Sequence, residues 1–221
     1  MEQPADRLAQ IRARIEAAAR LARRGPAEVT LVAVSKTHAA EHIAPLIDAG
    51  QRVFGENRVQ EAAAKWLGLR AEHGAIELHL VGQLQSNKAE EAVALFDCIH
   101  SLDRMALAGA LAKAMDKADR RVPCFVQVNI GAEEQKGGCA IAHLPALLAE
   151  VRAADLPVVG LMAVPPLDTE PAPYFALLAK LADDHGLTGL SMGMSDDFET
   201  AIMLGATHVR VGSALFGARS R

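Results

Sequence analysis

The stretch Val29-Thr30-Leu31-Val32-Ala33-Val34-Ser35 is the clearest strand signal in the chain, and it ends directly at Lys36. A continuous apolar and β-branched run of this kind is typical of a strand buried on both faces, as in a parallel sheet. Parallel sheets place their chemistry at the carboxyl ends of the strands. A lysine at such an end can lose its charge when desolvated, and the free amine can then form a Schiff base with a carbonyl. The alternative is a lysine that extends from the strand end into solvent.

Outward from this strand, short apolar segments alternate with alanine-rich helical segments along the whole chain. The predicted strands lie at 29–35, 52–55, 77–82, 97–100, 123–130, 157–163, 188–192 and 207–211. Each predicted strand except the last is followed by a helical stretch, which favours a parallel sheet covered by helices. Eight such units predict an α/β fold, a single TIM-type (β/α)8 barrel that forms one domain over residues 1–221. An open doubly wound sheet is the alternative, but no GxGxxG follows the first strand.

An extra helix is expected before the barrel, at residues 7–24. The spacing of Leu8, Ile11, Ile15 and Leu21 predicts one apolar helical face, and Gly25-Pro26 ends the helix.

Composition excludes several classes of function. The net charge of −4 gives no basic excess with which to bind nucleic acid. The acidic, polar N-terminus is unlike a signal peptide, and no apolar stretch approaches the roughly 18 residues that a spanning helix needs. Cys98, Cys124 and Cys139 form no CxxC pair, which favours a reducing compartment. The sequence therefore predicts a cytoplasmic protein with no membrane partner.

The segments after the seventh and eighth predicted strands have the composition of an anion site. Gly193 permits close approach of the backbone to a ligand, and Ser195 stands at a predicted helix start, where N–H groups favour anions. Gly212-Ser213 forms a second turn of small residues. Barrels of this class frequently hold a phosphate in these two loops, although ordinary turns also use glycine and serine.

Arg210 lies within the last predicted strand, just before that turn. An inward-facing arginine needs a partner, because its guanidinium does not release its proton. The partner is either a carboxylate in a structural ion pair or an acceptor on a bound ligand, such as a ring nitrogen. A lysine for an imine, donors for a phosphate and a cation beside a ring acceptor together describe pyridoxal 5′-phosphate (PLP).

Six ordered segments carry a resemblance to a known family, the PLP homeostasis protein family, whose fold is related to the barrel domain of alanine racemase. The segments are Val34-Ser35-Lys36-Thr37, Phe54-Gly55-Glu56-Asn57-Arg58-Val59-Gln60-Glu61, His79-Leu80-Val81-Gly82-Gln83-Leu84-Gln85-Ser86-Asn87-Lys88, Gly160-Leu161-Met162-Ala163-Val164-Pro165, Gly193-Met194-Ser195-Asp196-Asp197 and Val209-Arg210-Val211-Gly212-Ser213-Ala214-Leu215-Phe216-Gly217. The resemblance extends from about residue 7 to residue 218.

The resemblance implies a cofactor held as an internal aldimine on Lys36. It implies that Ser195, Gly212 and Ser213 bind the phosphate with backbone help from Gly193 and Met194, that Arg210 faces the pyridine nitrogen, and that Asn57 lies beside the ring. It assigns no catalytic residue and no metal. The histidines His38 and His42 have helical spacing but lack a third ligand, so we expect exposed helix residues there.

The function expected on this basis is intracellular PLP homeostasis, by buffering or delivery of the cofactor without dedicated turnover. An arginine keeps the ring nitrogen unprotonated, which makes the ring a weaker electron sink. The tyrosine that serves related racemases as second base comes from a further domain, and Tyr174 falls elsewhere, in a proline-rich connection. One alternative is a PLP-dependent amino-acid racemase or other enzyme of the same fold type. A second is a Schiff-base barrel enzyme acting on a phosphorylated metabolite.

The expected partners are PLP and the apoenzymes that use it, and a monomer is expected because the racemase's dimer-forming domain is missing. Cys139 and the loop at 133–139 receive no assigned role beyond that of a loop.

Overall fold

The protein is described by a computed structural model covering residues 3–217, in which eight parallel strands form a closed barrel. The strands are β1 (Thr30–Val34), β2 (Val53–Glu56), β3 (Glu77–Leu80), β4 (Cys98–Leu102), β5 (Cys124–Gln127), β6 (Val158–Met162), β7 (Gly189–Ser191) and β8 (His208–Val211). Each strand pairs with its neighbour in the chain, and β1 closes the barrel by pairing with β8. The predicted barrel class is confirmed. The predicted domain also includes positions 1–2 and 218–221, which lie outside the described residues.

The helices follow the strands in the order expected for this fold. They are α1 (Pro4–Leu21), α2 (Ala40–Asp48), α3 (Val59–His73), α4 (Ala89–Leu95), α5 (Met105–Ala118), α6 (Leu144–Ala153), α7 (Ala172–Asp184), α8 (Phe198–Met203) and α9 (Ser213–Phe216). The eighth strand therefore also has a helix after it, although a short one. No helix between residues 3 and 217 is long and apolar enough to cross a membrane.

The extra N-terminal helix is confirmed, with one correction to its apolar face. In α1, Leu8, Ile11 and Ile15 are buried, and the helix packs against α8 and α9. Leu21 was predicted on the same face but is 76% exposed. At about 100° per residue it points roughly 240° around the helix from Ile15, and Ala18 and Ala19 occupy the buried positions instead.

Large side chains pack in two separate places. Trp66, Phe54 and Phe96 are fully buried in the main core, which also contains the apolar faces of the helices. Phe125 instead forms a small separate cluster with Cys98 and Met162. Room for its ring comes partly from Gly189, where an added Cβ would lie 2.9 Å from the Phe125 Cε1. A side chain at this glycine would therefore displace the aromatic ring.

The fold brings the carboxyl ends of all strands to one rim. Lys36 follows β1, Asn57 follows β2, and Gly212 follows β8 directly. Because β1 pairs with both β2 and β8, these three positions come from adjacent strands. The barrel thus gathers residues that are far apart in sequence into one candidate site.

Candidate functional site

A cavity of about 430 Å³ opens at this rim. Seven of the eight sequence-predicted site residues line it, namely Lys36, Asn57, Met194, Ser195, Arg210, Gly212 and Ser213. Its apolar wall consists of Val34, Val81 and Val164. A lysine amine, hydroxyl groups and an apolar wall are therefore brought together in one space.

Lys36 sits in a tight turn whose backbone is held from behind. Its neighbour Thr37 has a positive φ of 66°, and the Thr37 N–H donates to Glu61 Oε1 at 2.5 Å. Lys65 Nζ donates to the carbonyls of Ser35 at 3.0 Å and His38 at 3.1 Å. For Lys36 itself we find no hydrogen bond or ion pair within residues 3–217. The turn is thus fixed, while the amine at its centre is left to face the cavity.

The group that holds this turn is a buried ion pair that sequence reasoning did not identify. Glu56 is fully buried, and its Oε1 lies 2.8 Å from Lys65 Nζ. The same oxygen accepts hydrogen bonds from Ser35 Oγ at 2.6 Å and Trp66 Nε1 at 3.0 Å. Lys65 is therefore saturated with acceptors, so its amine is not available as a nucleophile. The available signal was a glutamate at the end of a buried strand, with Lys65 one helical turn after Glu61.

A second corner of the cavity carries two hydroxyl groups. The Ser213 hydroxyl donates to Ser195 Oγ at 3.0 Å, and the Ala214 N–H approaches the same oxygen at 3.4 Å. In the described part of the chain, no acceptor is found for the Ser195 or Ser213 backbone N–H. Backbone N–H groups without an acceptor, beside a pair of hydroxyls, suit the oxygens of an anion. The predicted pairing of the seventh and eighth loops is therefore present.

Two neighbouring backbone positions differ from what the sequence suggested. The Met194 N–H donates to Asp197 Oδ1 at 2.5 Å, so it is not free for a ligand in this arrangement. Gly193 does not line the cavity, and its carbonyl accepts a hydrogen bond from the backbone N–H of Arg210 at 2.9 Å. Its φ is +91°, and a Cβ there would lie 2.6 Å from the Ala201 Cβ. The turn and the packing of α8 are by themselves enough to require glycine at this position.

Arg210 reaches the cavity from inside the barrel and is only 5% exposed. Its guanidinium donates to Ser191 Oγ at 2.6 Å and to the Ala163 carbonyl at 3.0 Å. No carboxylate in residues 3–217 forms an ion pair with it, so the structural ion pair considered from sequence is wrong. Burial lowers the pKa of Arg210 to about 10, opposed by the charge of Asp197. The group therefore remains a cation at neutral pH, with neutral partners.

His38 also lines the cavity, contrary to its predicted place on an exposed helix face. It lies in the turn after β1, and its ring stacks on Phe216 with centroids 4.4 Å apart. His42 is exposed on α2 as predicted.

A second cavity of about 330 Å³ adjoins the first and shares Asn57, Val81 and Val164 with it. Its remaining wall is rich in side-chain amides and includes Gln83, Gln127, Asn129, Gln135 and Lys136. The loop at 133–139 forms much of this wall. Cys139 is buried rather than exposed in the loop, and its N–H donates to the Gln127 carbonyl at 2.8 Å. Burial raises the pKa of the Cys139 thiol to about 11, so it is held as an unreactive thiol.

Below Arg210, polar side chains continue into the barrel interior. His79, Cys98 and His100 place one potential ligand atom each within 4.8 Å of one another, the one such group that the described residues form. The two imidazoles hydrogen-bond directly, with 2.9 Å between His79 Nδ1 and His100 Nε2. Burial raises the pKa of Cys98 beyond the ordinary thiol range. The hydrogen bond between the two imidazoles therefore explains why they lie so close together.

Comparison with known proteins gives a consistent result over nearly the whole chain. Residues 7–220 match the family model described as alanine racemase, N-terminal domain. The chain is 43% identical to the pyridoxal phosphate homeostasis protein of Pseudomonas aeruginosa, with 97% of this chain and 95% of that protein covered. It is 41% identical to the protein of the same name from Escherichia coli, over 99% of this chain and 98% of the relative. The chain belongs to the pyridoxal phosphate homeostasis protein family. The family resemblance inferred from the six sequence segments is thus confirmed.

Solved structures agree with this family membership. PipY of Synechococcus elongatus, without PLP, is 40% identical with a TM-score of 0.85, over 97% of this chain and 100% of that one. A second PipY structure, with PLP bound, has the same TM-score at 39% identity and the same coverage. Alanine racemase of Clostridium difficile is 13% identical with a TM-score of 0.68, over 88% of this chain and 53% of the racemase chain. That likeness shows the shared barrel fold only.

Proposed function

We propose that this chain binds pyridoxal 5′-phosphate covalently through Lys36 and serves PLP homeostasis by holding and delivering the cofactor. The observation that carries the proposal is that one cavity is lined both by a lysine amine without a partner in the described chain and by two hydrogen-bonded serine hydroxyls. Family membership, and a solved relative that holds PLP, support the same cofactor.

The donor set of the cavity fits this cofactor. Ser195 and Ser213 supply hydroxyl and amide donors suited to a phosphate, and the Val34, Val81 and Val164 side chains form an apolar surface suited to a flat ring. PLP supplies an aldehyde that condenses with a lysine amine and a ring that can accept electron density. Arg210 and Asn57 are the polar groups of the lining that would face the ring. The predicted contribution of Met194 requires its N–H to leave Asp197 Oδ1, and Gly193 would act only by shaping the turn.

Lys36, rather than Lys65, is the residue suited to react with the aldehyde. A nucleophilic amine needs a free lone pair, and Lys65 donates to two carbonyls and contacts two carboxylates. Lys36 has no such partner in the described chain, while its backbone is held by the turn. The rigid turn would place the amine without consuming its hydrogen-bonding capacity.

We propose further that the chain performs no dedicated turnover. A guanidinium beside the ring nitrogen donates a hydrogen bond but does not transfer its proton, which keeps the ring a weak electron sink. Tyr174 lies in α7 rather than in the predicted proline-rich connection, and it is absent from the cavity lining, so it does not supply the second base of a racemase. His38 and Asp196 are the remaining proton-exchanging groups of the lining, and the test of turnover must include them.

Delivery to PLP-dependent apoenzymes, a monomeric state and a cytoplasmic location complete the proposal. The three cysteines are free and buried, which suits a reducing compartment.

The test combines binding with turnover. PLP is titrated into purified protein and followed by visible absorbance, then racemase, transaminase and decarboxylase activities are compared with those of free PLP. The proposal predicts saturable, borohydride-trappable binding, no turnover above the free cofactor, and restoration of activity when the loaded protein is mixed with a PLP-requiring apoenzyme. Amino-acid turnover well above that of free PLP, lost in a His38→Gln or Asp196→Asn variant, would show an enzyme instead. Absence of PLP binding would overturn the whole proposal.

A further inference from the structure

A continuous chain of hydrogen bonds runs through the barrel interior from the cavity to the opposite end. Arg210 Nη1 lies 2.6 Å from Ser191 Oγ, which lies 2.8 Å from His100 Nδ1. His100 Nε2 lies 2.9 Å from His79 Nδ1, and His79 Nε2 lies 2.9 Å from Glu77 Oε1. The first four residues are buried, whereas Glu77 is exposed at the amino end of β3. The chain therefore joins a buried cation to a carboxylate at the surface.

The direction of every bond in this chain follows from the chemistry of its two ends. A guanidinium can only donate, so Ser191 Oγ accepts from Arg210, and a carboxylate can only accept, so His79 Nε2–H donates to Glu77. With both rings neutral, these two ends leave His100 Nδ1 as the acceptor of the Ser191 proton. His100 must then carry its proton on Nε2 and donate to His79 Nδ1. His79 in turn carries its proton on Nε2 and donates to the Glu77 carboxylate. Both imidazoles are thereby fixed as neutral Nε2–H tautomers, and all four bonds point from Arg210 to Glu77.

We propose that this chain is the positioning device for Arg210, with Glu77 as its remote counter-charge. Within the described residues Arg210 makes no direct ion pair, and a buried charge without compensation is costly. A row of aligned hydrogen bonds between a cation and an anion is polarised along its length. Together with the longer-range attraction of Asp197, it compensates the charge without a carboxylate in direct contact with the guanidinium. A direct carboxylate partner would occupy the guanidinium face that a ligand acceptor needs. The part of this inference that concerns a ligand rests on the function proposed above.

Metal binding at His79, Cys98 and His100 is the competing use of these side chains. All four imidazole nitrogens of His79 and His100 are engaged in this series of hydrogen bonds, so a metal held by these residues would displace at least one of those bonds and would need a deprotonated Cys98. Metal and chain therefore exclude each other, and the tautomers distinguish them. Burial lowers the pKa of His100 well below its usual value, which agrees with a neutral ring in the chain.

The first experiment reads the tautomers in protein without cofactor. Histidine nitrogens are labelled with ¹⁵N, and the resonances of His79 and His100 are assigned from His→Gln variants. The chain predicts protonated Nε2 and bare Nδ1 on both rings at neutral pH. A proton on Nδ1 of either ring, a doubly protonated ring, or a shift of both rings on addition of Zn²⁺ alone would overturn it.

The second experiment breaks the chain at its first link. Ser191→Ala removes the hydroxyl between Arg210 and His100, and Ser101→Ala is the matched control. Both serines are fully buried on the barrel strands, but Ser101 Oγ has no hydrogen-bond partner in residues 3–217. In Ser191→Ala we expect His100 to populate both neutral tautomers. We also expect the absorbance of bound PLP to shift and PLP binding to weaken about tenfold. Ser101→Ala should change none of these.

The outcomes separate this inference from the proposed function. If the wild-type protein does not bind PLP, the proposed function fails, but the tautomer measurement still tests whether the series of hydrogen bonds from Arg210 to Glu77 exists. If the wild type binds PLP and Ser191→Ala binds it equally with an unchanged spectrum and tautomer, the positioning role is refuted.

Discussion

Polar groups at the rim of the barrel lack hydrogen-bond partners that the polar groups of the interior network have. At the rim, the Lys36 amine and the Ser195 and Ser213 amides have no acceptors among residues 3–217. In the interior, Ser191, His79 and His100 are each bonded on both sides. The side chains of the interior network satisfy one another's hydrogen bonds, whereas the donors at the rim remain available to a ligand.

The same contrast appears between two lysines near the same turn. Lys65 is nearly buried and saturated with partners, so its role is to hold backbone. Lys36 is half-buried and faces a cavity without a partner in the described chain. The two lysines cannot be distinguished by residue type, only by their partners. Lys36 is therefore called the chemical lysine and Lys65 the structural lysine.

The largest effect is expected at the chemical lysine. Lys36→Ala should abolish borohydride-trappable PLP completely while leaving thermal unfolding near that of the wild type, because the side chain forms no hydrogen bond or ion pair within residues 3–217. Reduced samples are analysed by intact mass. If Lys36→Ala retained the cofactor mass, the assignment of Lys36 as the lysine that reacts with PLP would be contradicted.

The structural lysine should show the reverse behaviour. Lys65→Met leaves Glu56 buried without its counter-charge, which should lower the free energy of unfolding by about 3–5 kcal/mol. Urea denaturation of protein without cofactor gives the measurement. Lys180→Met is the control, since its partner Asp184 is an exposed neighbour on the same helix, and its stability should be essentially that of the wild type. Equal stabilities for the two variants would contradict the role assigned to Glu56–Lys65.

The barrel interior should lose stability as the pH falls. Burial lowers the pKa of His208 to about 4 and holds the pKa of His100 well below its ordinary value. In the unfolded chain these histidines titrate near 6.5, so the unfolded state binds protons first and stability falls as pH drops from about 6.5 toward 4. For His208 the loss should approach roughly 3 kcal/mol at the lower limit.

Urea unfolding at pH 7 and pH 5 measures this dependence. His208→Gln should flatten it, whereas His143→Gln, at an exposed position, should leave the slope of the wild type. An identical slope in His208→Gln would exclude this partly buried ring as a source of acid sensitivity.

The smallest effect is expected from single hydroxyls of the rim. Ser195→Ala and Ser213→Ala should each weaken PLP binding by roughly 1.5–3 kcal/mol without preventing covalent attachment, because each removes one hydrogen bond to a charged acceptor. Equilibrium titration by absorbance gives the affinities. If neither substitution changes affinity, the phosphate is held elsewhere, and the adjoining cavity with Lys136 becomes the place to look.

The barrel could be predicted from sequence because short apolar runs, tight turns and helical segments recur with a regular order. Lys36 and the two serines could be predicted because every strand end of a parallel barrel faces the same rim. Glu56–Lys65 and the chain from Arg210 to Glu77 could not, since their members come from different elements and have no common spacing. His100 and Ser191, for example, are 91 positions apart. The packing of α8 against Gly193 could not be predicted either, because the sequence does not show how closely the two approach.

Peptide mapping of the borohydride-reduced, PLP-loaded protein tests the central claim most directly. The account predicts a single modified peptide that carries the reduced cofactor on Lys36, with none on Lys65 or Lys136. Modification of another lysine in place of Lys36, or no modification at all under saturating PLP, would contradict it.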